Sequence, residues 1–301
     1  MFSIGTSGPH SAMSQSPPSG DPSFSTTSRT WVSQILGDRD VYYRDQLATN
    51  YMGKYTMVIA GGTNAAVAPA GDGYALITVK TNGGVKCSGG MLGDGHRLRT
   101  ITRVHRLKPV ATTVSKNGDW AFYAMLYSEP STYTNNRGVL MTSKICNGSI
   151  MGWMQFTNNG NRDLLDGNLF WTKMRWTNSL YPSGFTNEVE TLGSAYTPPA
   201  KGSRALTLTD AVIVARDGNL GAPFTNYAVL GLNNKFTFNV PNVNTQVFML
   251  KPGTGQMIGH FHDPEDGTET LTYGAVLQDE NVARGFFLGT NQSGSVRLKG
   301  Y

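Results

Sequence analysis

The sequence predicts an all-β protein built from two related antiparallel β units, and three observations support this class. Charged residues make up only 15% of the 301 residues, and 36 residues are glycine. Low charge with many Gly, Thr, Ser and Asn residues is typical of short strands joined by tight turns, whereas helical bundles favour Ala, Glu, Lys and Leu. The other two observations are the turn dipeptides and the strand-length runs between them.

Asp-Gly and Asn-Gly dipeptides recur along the chain, and both tolerate the positive φ angles that tight hairpin turns require. Strand-length runs such as YTMVIAG, GYALITVKT and DWAFYAMLY lie between them. Several of these runs alternate apolar and polar residues, as a sheet with one solvated face does. Strands of this spacing without helical patterns between them predict an antiparallel all-β fold. The Asp-Gly pairs begin at residues 72, 94, 166, 217 and 266, and the Asn-Gly pairs at residues 82, 117, 147 and 159.

Composition divides the chain into five segments. Residues 1–29 are rich in Ser, Pro, Gly and Thr and have few apolar anchors, so we expect a disordered lead. Residues 30–50 form a connecting segment with hints of a short helix. We expect a first β unit over residues 51–158, an aromatic-rich joint over 159–184 and a second β unit over 185–301.

The two units share a weakly repeated sequence pattern, which predicts that they are related. GVKCSGGMLGDG (84–95) and GQMIGHFHDPEDG (255–267) each have the pattern of a strand with a central glycine followed by an Asp-Gly turn. A strand of Thr and β-branched residues and then an aromatic strand follow in both cases. Glycines inside strands fit bends or close backbone approach in small curved sheets. We therefore expect two small barrels or sandwiches packed together.

Aromatic residues are concentrated in and around the joint, and two interpretations stay open for them. Aromatic side chains in a loop-like segment predict that it packs down between the two units. The alternative is sugar binding, in which exposed rings stack on pyranose faces beside Asn, Asp and Gln side chains. Core or interface packing is the ordinary use of such residues. The candidates are Trp153, Trp171, Trp176, Tyr181 and Tyr196.

The stretch GHFHDPEDG (259–267) is a candidate metal site. In a strand, His260 and His262 point to the same face, where two imidazoles can chelate zinc, copper or nickel. Asp263 is the candidate third ligand, with the other acids of the following turn as alternatives. The competing interpretation is a solvated His-x-His strand face with Phe261 inward and an exposed hairpin turn. We expect no cofactor.

Cys87 and Cys146 are the only cysteines, and their separation matches no zinc-binding spacing. Both lie in strand-like segments, VKCSGG and SKICNGS. A disulfide can form if those two strands are neighbours, and two buried free thiols are the alternative.

Carboxylates arranged for catalysis are sparse. Glycoside hydrolysis needs two carboxylates across a cleft, one of them with a raised pKa. Glu188 and Glu190 alternate onto one face, but surface acids are the ordinary interpretation, and most Asp residues lie in predicted turns. The Asp- and Asn-rich loop at residues 158–168 is a candidate for calcium, although its spacing is not that of an EF-hand. The chain has no Gly-x-Ser-x-Gly elbow, no HExxH motif and no P-loop.

Charge and hydropathy restrict the partners. The net charge of +5 is mild, and the basic residues form no run. The densest basic segment, HRLRTITRVHRLK (96–108), alternates in a way that sends the basic residues to one strand face and Leu98, Ile101 and Val104 largely to the other. A solvated face is the default interpretation and a polyanion-binding face is the alternative. We expect no nucleic-acid partner, and no membrane insertion because no stretch approaches 18 apolar residues.

The C-terminal part of the chain carries the succession LKPGTGQMIGHFHDPEDGTETLTYGAVLQDENVARGFFLGTNQSGSVRL. It resembles a module found near the C-terminal ends of very large surface proteins of environmental bacteria, where it follows immunoglobulin-like or lectin-like repeats. Upstream pieces such as GKYTMVIAG, GDGYALITV and KNGDWAFYAMLY look similar too, so the resemblance spans most of residues 51–301. Its motifs are structural rather than catalytic. The matching features are Thr254–Gly255, Gly259–Phe261, Pro264–Gly267, Gly274–Gln278 and Gly285–Thr290.

The resemblance implies a secreted or surface-anchored β module. We therefore expect a non-enzymatic structural or adhesive element of an extracellular or cell-surface protein, with surface glycans or other cell-surface proteins as partners. The first alternative is a carbohydrate-binding module of a polysaccharide-degrading system. The second alternative is a glycoside hydrolase. The first residues lack the basic and apolar regions of a secretory signal, so we expect a fragment of a longer protein or a start that is not the native one.

Overall fold

A computed structural model describes residues 42, 44–106, 118–157, 164–165, 167–177, 179–238 and 246–301. Within these ranges the regular structure consists of β-strands, without a helix, and the strands pair antiparallel. The predicted all-β antiparallel class is confirmed. The expected disordered lead (1–29) lies outside the described residues, as does most of the expected connecting segment (30–50). The described end of that segment, residues 44–50, has turns and a single bridge residue but no helix.

The first sheet closes on itself as a barrel. Its first strand pairs with the second on one side and with the ninth on the other. A two-residue strand, the seventh, lies in line with the eighth between the sixth and ninth strands. The strands are β1 (Gly53–Ile59), β2 (Gly73–Val79), β3 (Gly84–Met91), β4 (Thr100–Arg106), β5 (Gly118–Thr134), β6 (Leu140–Phe156), β7 (Leu164–Leu165), β8 (Asn168–Lys173) and β9 (Phe185–Ala195).

The second sheet is a nearly closed barrel of eight strands. Its two edge strands meet through a single bridge between Lys235 and Met249 and through a hydrogen bond from Leu250 N to Asn234 O at 2.9 Å. The strand order is β12–β11–β10–β17–β16–β15–β14–β13. The strands are β10 (Asp210–Asp217), β11 (Phe224–Leu230), β12 (Phe236–Phe238), β13 (Val247–Lys251), β14 (Gln256–His262), β15 (Glu269–Leu277), β16 (Val282–Leu288) and β17 (Ser293–Gly300).

Alternation along the strands fills each barrel with apolar side chains. Trp120, Phe122 and Phe156 are fully buried in the first barrel, and Phe261 and Phe287 in the second. Burying one side chain of this kind stabilises the fold by roughly 1.5–3 kcal/mol. Each barrel therefore has an apolar core of its own that stabilises it. Whether the units are related by duplication stays a prediction.

Four of the predicted turn dipeptides form turns between consecutive strands, and each glycine there has a positive φ angle. The sequence was sufficient to predict these four turns, because glycine adopts a positive φ angle without steric cost. Two other dipeptides are not turns. Asp72–Gly73 leads into β2, and Asn147–Gly148 lies inside β6. The four turns are at Asn82–Gly83, Asp94–Gly95, Asp217–Gly218 and Asp266–Gly267.

The two sheets divide after Ala195, so the expected boundaries at residues 158 and 184 need correction. β8 lies within the expected joint, yet it is a full strand of the first barrel, paired with β6 and β9. β9 opens the expected second unit, yet it pairs with β1 and closes the first barrel. The physical reason is that closing a barrel requires a last strand to satisfy the free edge of the first.

The two barrels contact each other along β1, β2, β15 and β16, and residues 40–301 form one compact unit. Tyr74 packs with Ala275 and Phe286 in a small apolar cluster between them. Gln256 Nε2 donates to the hydroxyl oxygen of Tyr74 at 2.7 Å, and Thr56 Oγ1 donates to the carbonyl of Val276. The contact therefore combines apolar packing with buried hydrogen bonds.

Candidate functional site

Tyr127 occupies an unusual position in β5. Its φ angle is +54°, a conformation that is uncommon for a bulky residue, and its side chain is only 2% exposed. The ring has room because Gly148 stands on the neighbouring strand, where a Cβ would lie 2.6 Å from Cδ2 of Tyr127. The glycine and the strained tyrosine therefore depend on each other.

Tyr127 is the centre of a polar cluster formed by Asp94, His96, Tyr127, Trp171 and Lys173, of which the last three are buried. Its hydroxyl donates to Asp94 Oδ2 at 2.6 Å and accepts from Trp171 Nε1 at 3.0 Å. Its backbone N–H donates to His96 Nε2 at 3.2 Å, which requires that this imidazole nitrogen carries no proton. Burial raises the pKa of Tyr127 and lowers the pKa of His96, so both side chains are held neutral.

Lys173 completes the cluster from the strand β8. Its ammonium lies 5.0 Å from the centre of the Tyr127 ring, a cation–π distance, and it donates to the carbonyl of Leu180. Burial lowers the pKa of Lys173, while the nearby Asp94 carboxylate opposes that shift. An Asp, Tyr, His and Lys set could move protons, but Tyr127 and Lys173 are only 2% and 3% exposed. Asp94 and His96 are partly exposed, whereas Tyr127, Trp171 and Lys173 are buried, and the cluster supports the barrel wall.

A second group of residues faces outward on the same wall. Tyr123 lies directly across from Met151 on β6, and Met151 lies across from Phe170 on β8. Trp153 is two residues further along β6, so it projects from the same side as Met151. Tyr123 is half exposed, and Trp153 and Phe170 are partly exposed. We call Tyr123, Met151, Trp153 and Phe170 the aromatic face.

A cavity of about 350 Å³ lies beside the aromatic face. Trp153 forms part of its wall, and the polar lining consists of Asp119, Gln155 and Asn168. Asp119 is 8% exposed, and its Oδ1 accepts a hydrogen bond from Gln155 Nε2 at 2.9 Å. A concave site with one aromatic wall and a few convergent polar groups is the ordinary form of a small-ligand site.

Charges of opposite sign lie on the two sides of the aromatic face. Glu188 and Glu190 are exposed on β9, directly across from Phe170 and Asn168. Arg99 and Arg103 are exposed on the other side, just before β4 and on β4. Ile101 lies with these arginines and is 73% exposed, so the expected inward position of Ile101 is wrong, whereas Leu98 and Val104 are buried.

The structure separates the five predicted sugar-binding residues. Trp153 lies on the aromatic face, whereas Trp171 is buried in the first barrel and bonded to Tyr127. Trp176 packs edge-on against Tyr127 with ring centres 5.7 Å apart. Tyr181 is buried, and its hydroxyl oxygen accepts from Ser293 N of the second barrel at 2.9 Å.

Trp171 and Tyr181 are therefore packing residues, and their sugar-binding interpretation is wrong because neither ring reaches solvent. The same holds for Tyr196, which is buried with its hydroxyl donating to Pro252 O at 2.6 Å. Sequence reasoning missed Tyr123 and Phe170. Strand alternation could have placed each on an outward face, but only the strand order puts them beside Trp153.

The candidate metal ligands lie on and after β14. The rings of His260 and His262 are 6.2 Å apart and perpendicular. His260 Nδ1 lies 3.8 Å from Glu269 Oε1, while Asp263 Oδ1 accepts from Glu265 N at 2.9 Å in the turn. Across the part of the chain that the structure describes, no three His, Cys, Asp or Glu residues are grouped to hold a metal ion. The third ligand that the sequence suggested is therefore not brought to the histidines.

Cys87 and Cys146 are free thiols. Cys87 lies on β3 and Cys146 on β6, and β4 and β5 separate these strands. The condition for a disulfide, that the two strands are neighbours, is therefore not met. Burial raises the pKa of Cys87 to about 11, and Cys146 lies 3.3 Å from Ser128 Oγ.

The candidate calcium loop and the prediction about membrane insertion remain. Most of the candidate calcium loop at residues 158–168 lies outside the described residues. Within the described ranges, no helix is long and apolar enough to cross a membrane. No protein-family model matches the chain, and the search of curated proteins returned no similar sequence.

Proposed function

We propose that this chain is a non-enzymatic adhesive module of an extracellular or cell-surface protein. The observation that carries the proposal is the aromatic face on the wall of a closed barrel. Large apolar side chains grouped on an outer surface are typical of interaction sites. Because β5 and β6 pair with each other along their whole length and with neighbours on both sides of this wall, the surface is presented on a rigid support.

The contact between the barrels supports a structural contribution as well. A buried ion pair, hydrogen bonds and an apolar cluster hold the barrels together at once. A module of an adhesive protein has to resist separation of its parts when a bound partner is pulled. The resemblance of the C-terminal motifs to modules of large surface proteins agrees with this setting.

The carboxylates give little support to a hydrolase. Glu188 and Glu190 are two residues apart on one exposed strand face, whereas a glycosidase holds its two carboxylates across a cleft with one in a desolvated setting. In the polar cluster around Tyr127, the hydroxyl of Tyr127 is bonded to both Asp94 and Trp171. A carbohydrate-binding module of a degrading system is the second candidate, because the aromatic face and its cavity suit sugars.

Adhesion by the whole chain is the direct test. Microspheres coated with the purified chain should attach to a layer of bacterial extracellular matrix at least five times more often than spheres coated with albumin. A Tyr123→Ser/Met151→Ser/Trp153→Ser variant should reduce attachment to the albumin level. Equal attachment of the coated and albumin spheres would overturn the proposal.

A hydrolase would give a different result. The chain incubated with soluble polysaccharides should release no more reducing sugar than buffer alone. Release that disappears in a Glu188→Gln/Glu190→Gln variant would replace the adhesive proposal with a catalytic one.

A further inference from the structure

We infer that the aromatic face binds a neutral polysaccharide chain, which crosses β5, β6 and β8 and places one sugar in the cavity beside Trp153. This inference rests on the proposed adhesive function and names the class of ligand. It depends on three features of the described residues: the placement of the rings, the polar lining of the cavity and the sign of the nearby charges.

The placement of the rings suits a chain of sugars. Tyr123 and Phe170 lie on either side of Met151 across two strand spacings, which is about 10 Å, a distance comparable to the length of a disaccharide. Trp153 is set to one side of this row. The apolar face of a pyranose ring packs on an aromatic ring, so successive sugars of one chain can contact successive side chains of the face.

The cavity supplies the hydrogen bonds that an apolar surface lacks. Asp119 and Gln155 are bonded to each other, which fixes both side chains in the wall of the cavity. Asn168 is exposed at the rim and lines the same cavity. Carboxylate and amide groups that are held in place can pair with the hydroxyl groups of a sugar. The volume of about 350 Å³ is within the range of ordinary small-ligand pockets.

The charges favour a neutral chain over a polyanion. Asp119 lies in the cavity, and Glu188 and Glu190 flank its β8 side. A uronic acid or sulfated sugar there would meet three carboxylates of like charge. Arg99 and Arg103 lie on the β4 side of the face, opposite to Glu188 and Glu190 on β9.

The same polar lining argues against a protein surface as the occupant. A protein docking on Tyr123, Met151 and Phe170 would also cover the exposed side chain of Asn168, and burying a polar group without a new partner is costly. A sugar brings hydroxyl groups to that position. The observations therefore favour a glycan over a second copy of this chain.

Native gels that contain a polysaccharide give the test. The full chain is run in gels with hydroxyethyl cellulose, glucomannan, xylan or alginate, and its retardation is compared with that in a plain gel. We expect retardation by at least one of the three neutral polysaccharides. Trp153→Ala should weaken it at least tenfold, and Asn168→Ala at least threefold. Tyr227→Ala is the matched control, because Tyr227 is an exposed aromatic on the second barrel, and it should leave retardation unchanged.

Several outcomes would overturn the inference. These are no retardation in any neutral gel, equal retardation of the Trp153→Ala variant with folding intact, and retardation by alginate alone. A dimer in solution that Trp153→Ala dissociates, without polysaccharide binding, would identify a second copy as the occupant instead. The selectivity for neutral chains is tested separately with the Glu188→Gln/Glu190→Gln variant. This variant should be retarded more strongly by alginate than the parent chain, and equal retardation would overturn the selectivity.

The inference and the proposed function fail in distinguishable ways. Treating the matrix layer with periodate destroys sugars, and treating it with protease destroys proteins. If adhesion of the coated microspheres survives periodate but not protease, the adhesive function stands and the glycan inference is wrong. If adhesion is absent on every layer, the proposed function is wrong, whatever the gels show.

Discussion

Asp72 of the first barrel forms a two-pronged ion pair with Arg284 of the second. Arg284 Nε lies 2.9 Å from Asp72 Oδ2 and Arg284 Nη2 lies 3.2 Å from Oδ1. The two side chains are only 4% and 14% exposed, and the backbone N–H of Gly61 also donates to Oδ1 at 3.0 Å. The carboxylate is therefore bonded within its own barrel and across the contact between barrels.

Removing the Asp72 carboxylate should destabilise the protein strongly. Asp72→Ala leaves the guanidinium of Arg284 in a mostly buried setting without its main partner, which costs about 3–5 kcal/mol when a buried pair is broken from one side. Urea unfolding at equilibrium, followed by tryptophan fluorescence, measures the change in the free energy of unfolding.

Two matched variants define the cause. Asp72→Ala/Arg284→Met removes both charges and should recover more than half of the loss, since no buried charge stays unpaired. Glu280→Ala removes an exposed acid and should change stability by less than about 0.5 kcal/mol. A loss below about 1 kcal/mol for Asp72→Ala alone would contradict the structural importance of the pair.

The protein should lose stability as the pH falls below about 6.5. The pKa of His96 is lowered in the folded state by burial, with Lys173 acting in the same direction and Asp94 against it. The unfolded chain therefore binds more protons than the folded chain between the unfolded value near 6.5 and the lower folded value. Stability is complete above that window and declines through it as the pH falls. Melting temperatures between pH 7.5 and 5 measure this decline.

His96→Gln tests the assignment, because glutamine can accept the hydrogen bond from Tyr127 N without titrating in this range. The variant should flatten the decline in melting temperature between pH 6.5 and 5. His260→Gln is the matched control and should retain the decline. A His96→Gln variant with the same pH dependence as the parent would show that other groups cause it.

Gly148→Ala should destabilise the first barrel. The added Cβ would lie 2.2 Å from the carbonyl oxygen of Thr172 and 2.6 Å from the ring of Tyr127, and forcing such contacts in a packed wall costs about 1–3 kcal/mol. Gly253→Ala is the control, since a Cβ added at this exposed glycine would meet no heavy atom within 4 Å. Thermal unfolding that shows equal melting temperatures for the two variants would disprove the tight packing around Tyr127.

The two cysteines should differ in reactivity. Burial raises the pKa of Cys87 to about 11, so very little thiolate is present at neutral pH, while Cys146 is only partly buried. N-ethylmaleimide should therefore label Cys146 in the native protein and Cys87 only after denaturation. Mass spectrometry under non-reducing conditions counts the labelled thiols. Absence of labelling even in denaturant would indicate a disulfide and contradict the separation of β3 and β6.

Local signals in the sequence were sufficient for the strands and for several turns. The runs DWAFYAMLY and RGFFL lie in β5 and β16, and Asp217–Gly218 forms the turn after β10. A strand pattern and a glycine in a turn both reflect forces within a few residues, namely the period-2 alternation of side chains and the steric freedom of glycine. The candidate site is different. Trp153 was a candidate from the sequence, but only the order of the strands shows that Tyr123 and Phe170 lie beside it.

By itself the sequence determined that this protein is all-β, antiparallel and rich in tight turns, because these properties depend on neighbours along the chain. Only the tertiary structure decided that β9 closes the first barrel and that Trp171 lies in the core. It also decided that the Asp-Gly pair at residue 72 is half of an ion pair rather than a turn. Each of these outcomes depends on which strands become neighbours. The reason is that pairing is set by satisfying free strand edges and burying apolar faces across the whole chain, and no local pattern encodes it.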